Sequence, residues 1–282
     1  MTSTLIVSTY NRPDALRLTL MSILRQRVMP DEVVIGDDGS REETTRVVEE
    51  FRAKFPVPLL HVWQPDDGFR LARSRNQCVA IASGDYIIEI DGDLILHPDF
   101  VADHLSMARE GCYCKGGRLN IGRKYTARLC SSGSIAGVGL FMRGVEAKRE
   151  NALHFPALAR WLAPRYRRHR EPALGCNMSF FRNDFMLVNG FDEFFEGWGG
   201  EDFDFGRRLQ LAGRTRLHLK FSGVCYHLWH NDKFMHNKER NFEYRERENC
   251  PVACEVGVSQ YDPARFLPDP EFPSRLIYTP EK

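Results

Sequence analysis

Short apolar runs alternate with amphipathic stretches along the first part of the chain. Leu5-Ile6-Val7-Ser8 predicts a buried strand, broken by the polar Asn11-Arg12-Pro13. Pro13 stands near a helix start, and Leu16, Leu18, Leu20, Ile23 and Leu24 give that helix an apolar face. Glu32 to Asp37 predicts a second strand, which ends in Asp37-Asp38-Gly39-Ser40, and a helix follows from Glu42 to Phe55. Leu59 to Trp63 is a third strand, Ala72 to Ala82 a helix closed by Gly84, and Tyr86 to Ile90 a fourth strand. This β-α alternation predicts an α/β fold with a mostly parallel central sheet flanked by helices. Such sheets bind ligands outside the C-terminal ends of their strands. Thr9, Asp37, Asp38, Asp91 and Asp93 all fall at those ends.

The rhythm loosens from residue 115 to residue 172. Ser131 to Gly139 is small and glycine-rich, as a tight turn or a close backbone approach requires. Ala152 to Arg170 carries Leu153, Phe155, Leu158, Trp161 and Leu162, then the basic run Arg165-Tyr166-Arg167-Arg168-His169-Arg170. This helix-like stretch has two readings: a peripheral membrane patch that meets anionic lipid or a lipid-linked acceptor, or a solvated loop. Asp204 to Ala212 predicts a helix, and Val224 to His227 a strand ending in histidines. Beyond Asn231 the chain turns charged, then proline-rich from Pro263, and reads as a wrapping extension with little chemistry.

Composition narrows the class. The chain has 282 residues, 43% of them apolar, enough for one large α/β domain or one domain with an insertion. With 39 basic against 38 acidic residues, no global field points to nucleic acid. The start MTSTLIVSTYNRP lacks the basic head and long apolar core of a signal peptide. No run of about 18 apolar residues predicts a membrane span. The expected compartment is therefore the cytoplasm, with any membrane contact peripheral, at the inner face of the plasma membrane. The eight cysteines are expected as reduced thiols. Cys112-x-Cys114 and Cys250-x-x-x-Cys254 could each be half a zinc site, but no second pair has ligand spacing.

The chemistry concentrates in two acidic stretches. Asp91-Gly92-Asp93 follows the apolar Tyr86 to Ile90 run, so a buried strand delivers two carboxylates to its edge. A hard divalent cation on such carboxylates bridges readily to diphosphate oxygens and offsets the charge of a departing nucleoside diphosphate. Asp37 or Asp38 could accept from a base N–H or a ribose hydroxyl, although Asp-Gly is also a turn pair. Arg70, Arg73, Arg75 and Asn76 lie at a helix start, where phosphate contact competes with surface salt bridging. In Trp198-Gly199-Gly200-Glu201-Asp202 the indole offers a stacking face for a sugar, and the glycines permit close approach. One carboxylate there can take a proton from an acceptor hydroxyl while its neighbour orients the acceptor. The plainer alternative is an acidic pair stabilising a helix N-terminus. His227 and His230, three apart, could both face one cation.

In order along the chain, Val7-Ser8-Thr9-Tyr10-Asn11-Arg12-Pro13, Asp37-Asp38-Gly39-Ser40, Ala72-Arg73-Ser74-Arg75-Asn76, Gly84-Asp85-Tyr86 and Asp91-Gly92-Asp93 resemble a family 2 glycosyltransferase of GT-A fold. The stretch from Asn189-Gly190-Phe191-Asp192 to Gly197-Trp198-Gly199-Gly200-Glu201-Asp202 resembles β-1,4-galactosyltransferases and bacterial chondroitin-type polymerases. The resemblance implies inverting transfer from a nucleotide sugar, usually a UDP-sugar, with Mn²⁺ or Mg²⁺, to a glycan or lipid-linked acceptor in lipopolysaccharide or other surface polysaccharide synthesis. It implies donor contacts from Thr9, Tyr10, Arg12, Asp38, Arg73, Asp91 and Gly92, and a metal ligand in Asp93. Asp202 takes the position of the catalytic base, and Glu201 that of the acceptor-binding acid, beside Trp198 and Gly199. In Cys225-Tyr226-His227-Leu228-Trp229-His230, His230 takes the family's metal-binding histidine position, and His227 replaces a methionine. Phe203 departs from a third acid of the galactosyltransferases, which leaves the donor sugar open.

The resulting division is a nucleotide-sugar half at 1–100, an acceptor and catalytic half at 101–235, and an extension at 236–282. Two rivals are weighed against it. A nucleotidyltransferase would need a basic glycine-rich triphosphate loop after the first strand, which residues 8–13 do not supply. A non-catalytic sugar-binding module could keep Trp198 but has no use for Asp93, Asp202 and both histidines together.

Overall fold

The computed structural model describes residues 1–166, 172–231 and 235–280. Its first half follows the predicted alternation: β1 (Ser3–Thr9), α1 (Pro13–Ile23), β2 (Glu32–Asp37), α2 (Glu42–Arg52), β3 (Leu59–Trp63), α3 (Leu71–Ile81), β4 (Tyr86–Asp91) and β5 (Leu94–Leu96). There follow α4 (Phe100–Met107), β6 (Cys112–Lys115), β7 (Leu119–Ile121), α5 (Arg123–Ser132), β8 (Val145–Ala147) and α6 (Pro156–Leu162). The chain continues through β9 (Asn177–Phe181), α7 (Arg182–Leu187), α8 (Glu201–Leu211), β10 (Thr215–His218), β11 (Cys225–His227), α9 (Lys238–Arg245), β12 (Phe266–Pro268) and β13 (Leu276–Tyr278).

Nine strands form the main sheet in the order β10-β6-β9-β4-β1-β2-β3-β13-β12. Its centre is parallel: β1 pairs with β2 and β4, and β2 with β3. β9 enters antiparallel to both β4 and β6. Buried on both faces, β1 and β2 carry near-continuous apolar runs, as central parallel strands do. Leu5, Val7, Val33, Ile35 and Ile88 meet α1 and α2 on one face, while Ile6, Val34 and Ile87 meet Val79, Phe180 and Phe205 on the other. A second, four-stranded sheet, β5-β11-β7-β8, packs its own apolar cluster against α1.

Two expectations are corrected here. Within residues 152–166 the helix-like stretch shrinks to the short α6, because Pro156 can occupy only a first-turn position and so sets the helix start there. Most of the basic run, residues 167–170, lies outside the described residues. The C-terminal extension is more than a wrapping: β13 pairs in parallel with β3 and adds β12 to the sheet edge. Neither cysteine pair joins a cluster of three ligands among the described residues, and all eight thiols are free.

Candidate active site

The ends of β1, β2 and β4 form the floor of the site. Register places Ser8 beside Asp91 and Thr9 beside Asp37, so these groups share one sheet edge. The two aspartates ending β2 have separate tasks. Asp37 is fully buried, its carboxylate shared between the His61 ring at 3.0 Å and the Ser40 N–H at 2.7 Å, and it holds the turn. Asp38 accepts from the Arg70 backbone N–H at 2.8 Å and the Gln64 amide at 2.5 Å. Burial pushes its carboxyl up to about 7 against those two donors. Tyr10 stands at the rim, its hydroxyl donating to Asp66 at 3.1 Å. Gly92 is required by space: a Cβ there would lie 2.9 Å from the Ser8 carbonyl oxygen.

Past Gly92 the chain turns Asp93 towards β11. Antiparallel pairing of β5 with β11 puts His227 opposite Leu94, and one ligating atom each from Asp93, His227 and His230 lies within 4.8 Å of the others. His227 Nε2 is 3.5 Å from Asp93 Oδ1, and His230 Nε2 is 3.6 Å from Asp93 Oδ2. Arg12 donates to Asp93 Oδ2 at 2.8 Å. The set fits a divalent transition cation. Asp93 Oδ1 is buried without a hydrogen-bond donor, and burial drives His227 down to about 3, so its imidazole is a neutral ligand at neutral pH.

The second acidic stretch opens α8. Gly200 precedes the helix at φ +106°, a conformation that favours glycine, and it swings Glu201 and Asp202 into the first turn. Asp202 is held by backbone donors, the Phe203 N–H on Oδ1 at 2.7 Å and the Gly175 N–H on Oδ2 at 3.0 Å. Trp198 is 38% exposed, with the Phe242 ring 5.8 Å away and the Lys238 ammonium over its indole at 5.4 Å. The loop beneath it is pinned by Asn241 of α9, whose amide donates to the carbonyls of Glu196 at 2.9 Å and Trp198 at 3.3 Å.

Arg75 joins the two halves. Predicted as a phosphate or surface cation, it is instead 1% exposed, with Nε 2.8 Å from Glu89, Nη2 3.2 Å from Asp91 and Nη1 3.2 Å from Glu201. Its position on the inner face of α3 explains the difference, since Ala72 and Val79 on that helix pack into the core. Glu89 and Glu201 are both raised by burial, Glu89 against the pull of Arg75, and Glu201 further by Asp202. Arg73 points elsewhere, into a cleft with Arg70, Glu193, Phe195 and Glu196. Glu89 and Arg118 had no mark in the sequence. Glu89 reads as one polar residue in a strand, and Arg118 lies in an irregular stretch, yet its guanidinium donates to Cys176 Sγ at 3.3 Å and its charge reaches Asp91 and Asp93.

The sequence pattern that defines glycosyl transferase family 2 matches residues 4–173, more than half of the chain. The chain belongs to glycosyl transferase family 2. A second pattern, the N-terminal domain of galactosyltransferase, matches residues 158–231, the part that carries α8 and β11. Among curated proteins, the hyaluronan synthase of Pasteurella multocida is 27% identical over 226 residues, 74% of this chain but only 23% of that longer protein. Two solved structures share the GT-A fold. TarS of S. aureus in complex with UDP-GlcNAc superposes with a TM-score of 0.62 at 17% identity, covering 86% of this chain and 64% of that one. The mannosyltransferase PcManGT from Pyrobaculum calidifontis, in complex with GDP-Man and Mn²⁺, gives 0.56 at 18% identity, covering 82% and 58%.

Proposed function

We propose that the chain is a metal-dependent inverting glycosyltransferase that moves a sugar from a UDP-sugar to a hydroxyl of a glycan or glycolipid acceptor in bacterial surface polysaccharide or lipopolysaccharide synthesis. The observation that carries this reading is the convergence on Arg75 of the donor edge, through Asp91, and the helix that presents the base, through Glu201. Residues 1–100 supply the donor half, 101–235 the acceptor and catalytic half, and 236–282 the extension that pins the acceptor loop. Thr9, Tyr10, Arg12, Asp38, Asp91 and Gly92 line the nucleotide side, with Arg73 further out in the neighbouring cleft. Trp198, Gly199 and Glu201 receive the acceptor, and Asp202 takes the proton from its attacking hydroxyl. Asp93, His227 and His230 would hold Mn²⁺ or Mg²⁺; two imidazoles favour Mn²⁺. Bound there, the cation supplies charge stabilisation to the departing diphosphate. Arg12, which donates to Asp93 Oδ2 at 2.8 Å, would lie beside the donor phosphates. UDP-GlcNAc and Mn²⁺ in the structural relatives, and a polysaccharide synthase among the sequence relatives, support this reading.

The metal assignment predicts that calorimetry will find UDP binding strengthened by Mn²⁺ in the native chain. Asp93→Ala should remove that dependence and weaken donor binding at least tenfold. UDP binding that is equally tight with and without Mn²⁺ would refute the assignment.

Among the described residues no helix is long and apolar enough to cross a membrane. We place the chain at the inner membrane surface through residues 152–170. Phe155, Leu158 and Trp161 are 53%, 42% and 59% exposed on or beside α6, with Arg160 and Arg165 next to them. Cosedimentation with phosphatidylglycerol vesicles, lost in Leu158→Glu/Trp161→Glu and absent with neutral vesicles, is the expected outcome. Equal recovery of native and variant chains with anionic vesicles would disprove the placement.

A further inference from the structure

A second set of ligating side chains stands apart from the site above. His97 follows β5, Asp99 immediately precedes α4, and His154 lies in the chain leading to α6. One ligating atom from each is within 4.8 Å of the other two. The imidazoles of His97 and His154 lie with centroids 4.3 Å apart, tilted by 33°. All three side chains are partly sheltered, at 25%, 21% and 18% exposure for His97, Asp99 and His154, open enough for an ion to enter.

What distinguishes the cluster from two stacked rings is the group behind His154. Asp103 is 4% exposed, and its two carboxylate oxygens lie 2.9 and 3.1 Å from His154 Nε2. The same carboxylate accepts the Gly223 N–H at 2.8 Å, which fixes its orientation. A buried carboxylate on Nε2 makes that nitrogen the protonated one and leaves the lone pair on Nδ1. This is the carboxylate–histidine arrangement that orients imidazole ligands and raises their basicity. Asp99 adds an anionic oxygen. Its present partner, Arg27, is 2.6 Å away but 70% exposed, and can swing into solvent. His97 Nδ1 accepts only a 3.2 Å bond from the Asp99 N–H, which a cation would replace.

We propose that His97, Asp99 and His154 form a second cation site that takes a transition ion of the Zn²⁺ class and clips the chain before α6 onto the start of α4. Two imidazoles and one carboxylate suit Zn²⁺ or Co²⁺ far better than Mg²⁺ or Ca²⁺. Three protein ligands leave a fourth position for water. The three-residue β5 separates this cluster from Asp93, so the two sites share no ligand.

The test uses the full chain stripped of metal and carrying Asp93→Ala and His230→Ala, which disables the other cluster. Equilibrium dialysis against Zn²⁺ should then find one ion bound per chain, and Co²⁺ should give the intense visible bands of a four-coordinate site. Adding His97→Ala or His154→Ala should abolish both signals, and Asp103→Asn should weaken Zn²⁺ binding by roughly 10–100-fold. Circular dichroism and melting of the metal-free variants check that each is folded, and either histidine variant alone decides the matter. No bound Zn²⁺ in the Asp93→Ala/His230→Ala chain, or undiminished binding in the folded histidine variants, would overturn the proposal. Neither result bears on the glycosyltransferase reading, which rests on the first cluster and on Asp202.

Discussion

Asp202→Asn is expected to lower turnover by about 10²–10⁴-fold, the range for losing a positioned general base, while donor affinity stays unchanged. The separation follows from geometry. Asp202 is fixed by the backbone N–H groups of Phe203 and Gly175, and none of its hydrogen bonds leads to Asp38, Asp91 or Asp93. Asparagine keeps an oxygen for one of those N–H groups and fills the same volume, so the loop should stand. What it loses is the capacity to take a proton. Steady-state UDP release with calorimetric donor titration would read the two quantities separately. A variant with full turnover, or one whose loss lies wholly in donor binding, would remove Asp202 from the role of base. Glu201→Gln should behave differently, raising the acceptor KM more than it lowers kcat, because Glu201 orients through its tie to Arg75.

The second large effect is structural in origin. Arg75→Met is expected to destabilise the fold by roughly 3–5 kcal/mol, the usual penalty for leaving buried charges without their partner. One guanidinium, 1% exposed, lies within ion-pair distance of Glu89, Asp91 and Glu201. Removing it strands Glu89 at 0% exposure. Arg75→Lys should recover little, because an ammonium cannot present the fork that reaches three carboxylates at once. Glu89→Gln in the Arg75→Met background should restore part of the loss, since Glu89, already raised by burial, is the ionisable group left most deeply buried without a partner. Urea unfolding of the native chain, Arg75→Met, Glu89→Gln and the double variant forms a double-mutant cycle. Additive losses in that cycle would show that Arg75 and Glu89 are not energetically paired.

Legibility differed between strands and network. The β-α order to residue 91 was readable because central parallel strands are buried on both faces and so appear as unbroken apolar runs between amphipathic helices. Thr9, Asp38, Asp91 and Asp93 were readable as edge groups because they directly follow such runs. The contraction of α6 was partly readable from Pro156, which the apolar spacing around it obscured. The inward turn of Arg75 was not readable. Arg73 and Arg75 are two apart on a helix and point to different sides, and which side is buried depends on what packs there. The contribution of the extension was likewise hidden, because Asn241 is one polar residue in a charged helix until the carbonyls of Glu196 and Trp198 come within its reach.

By itself, then, the sequence determined the alternating core, the edge carboxylates and the family, because local periodicity and the order of short motifs are properties of the chain. The tertiary structure decided which groups meet. Pairing of β5 with β11 brings Asp93 to His227 and His230 across more than a hundred residues, and the core cluster to which α3 and α8 both contribute sets Arg75 between Asp91 and Glu201. Cation sites and ion networks need atoms within a few ångströms, and only long-range strand register and helix packing bring such distant residues that close.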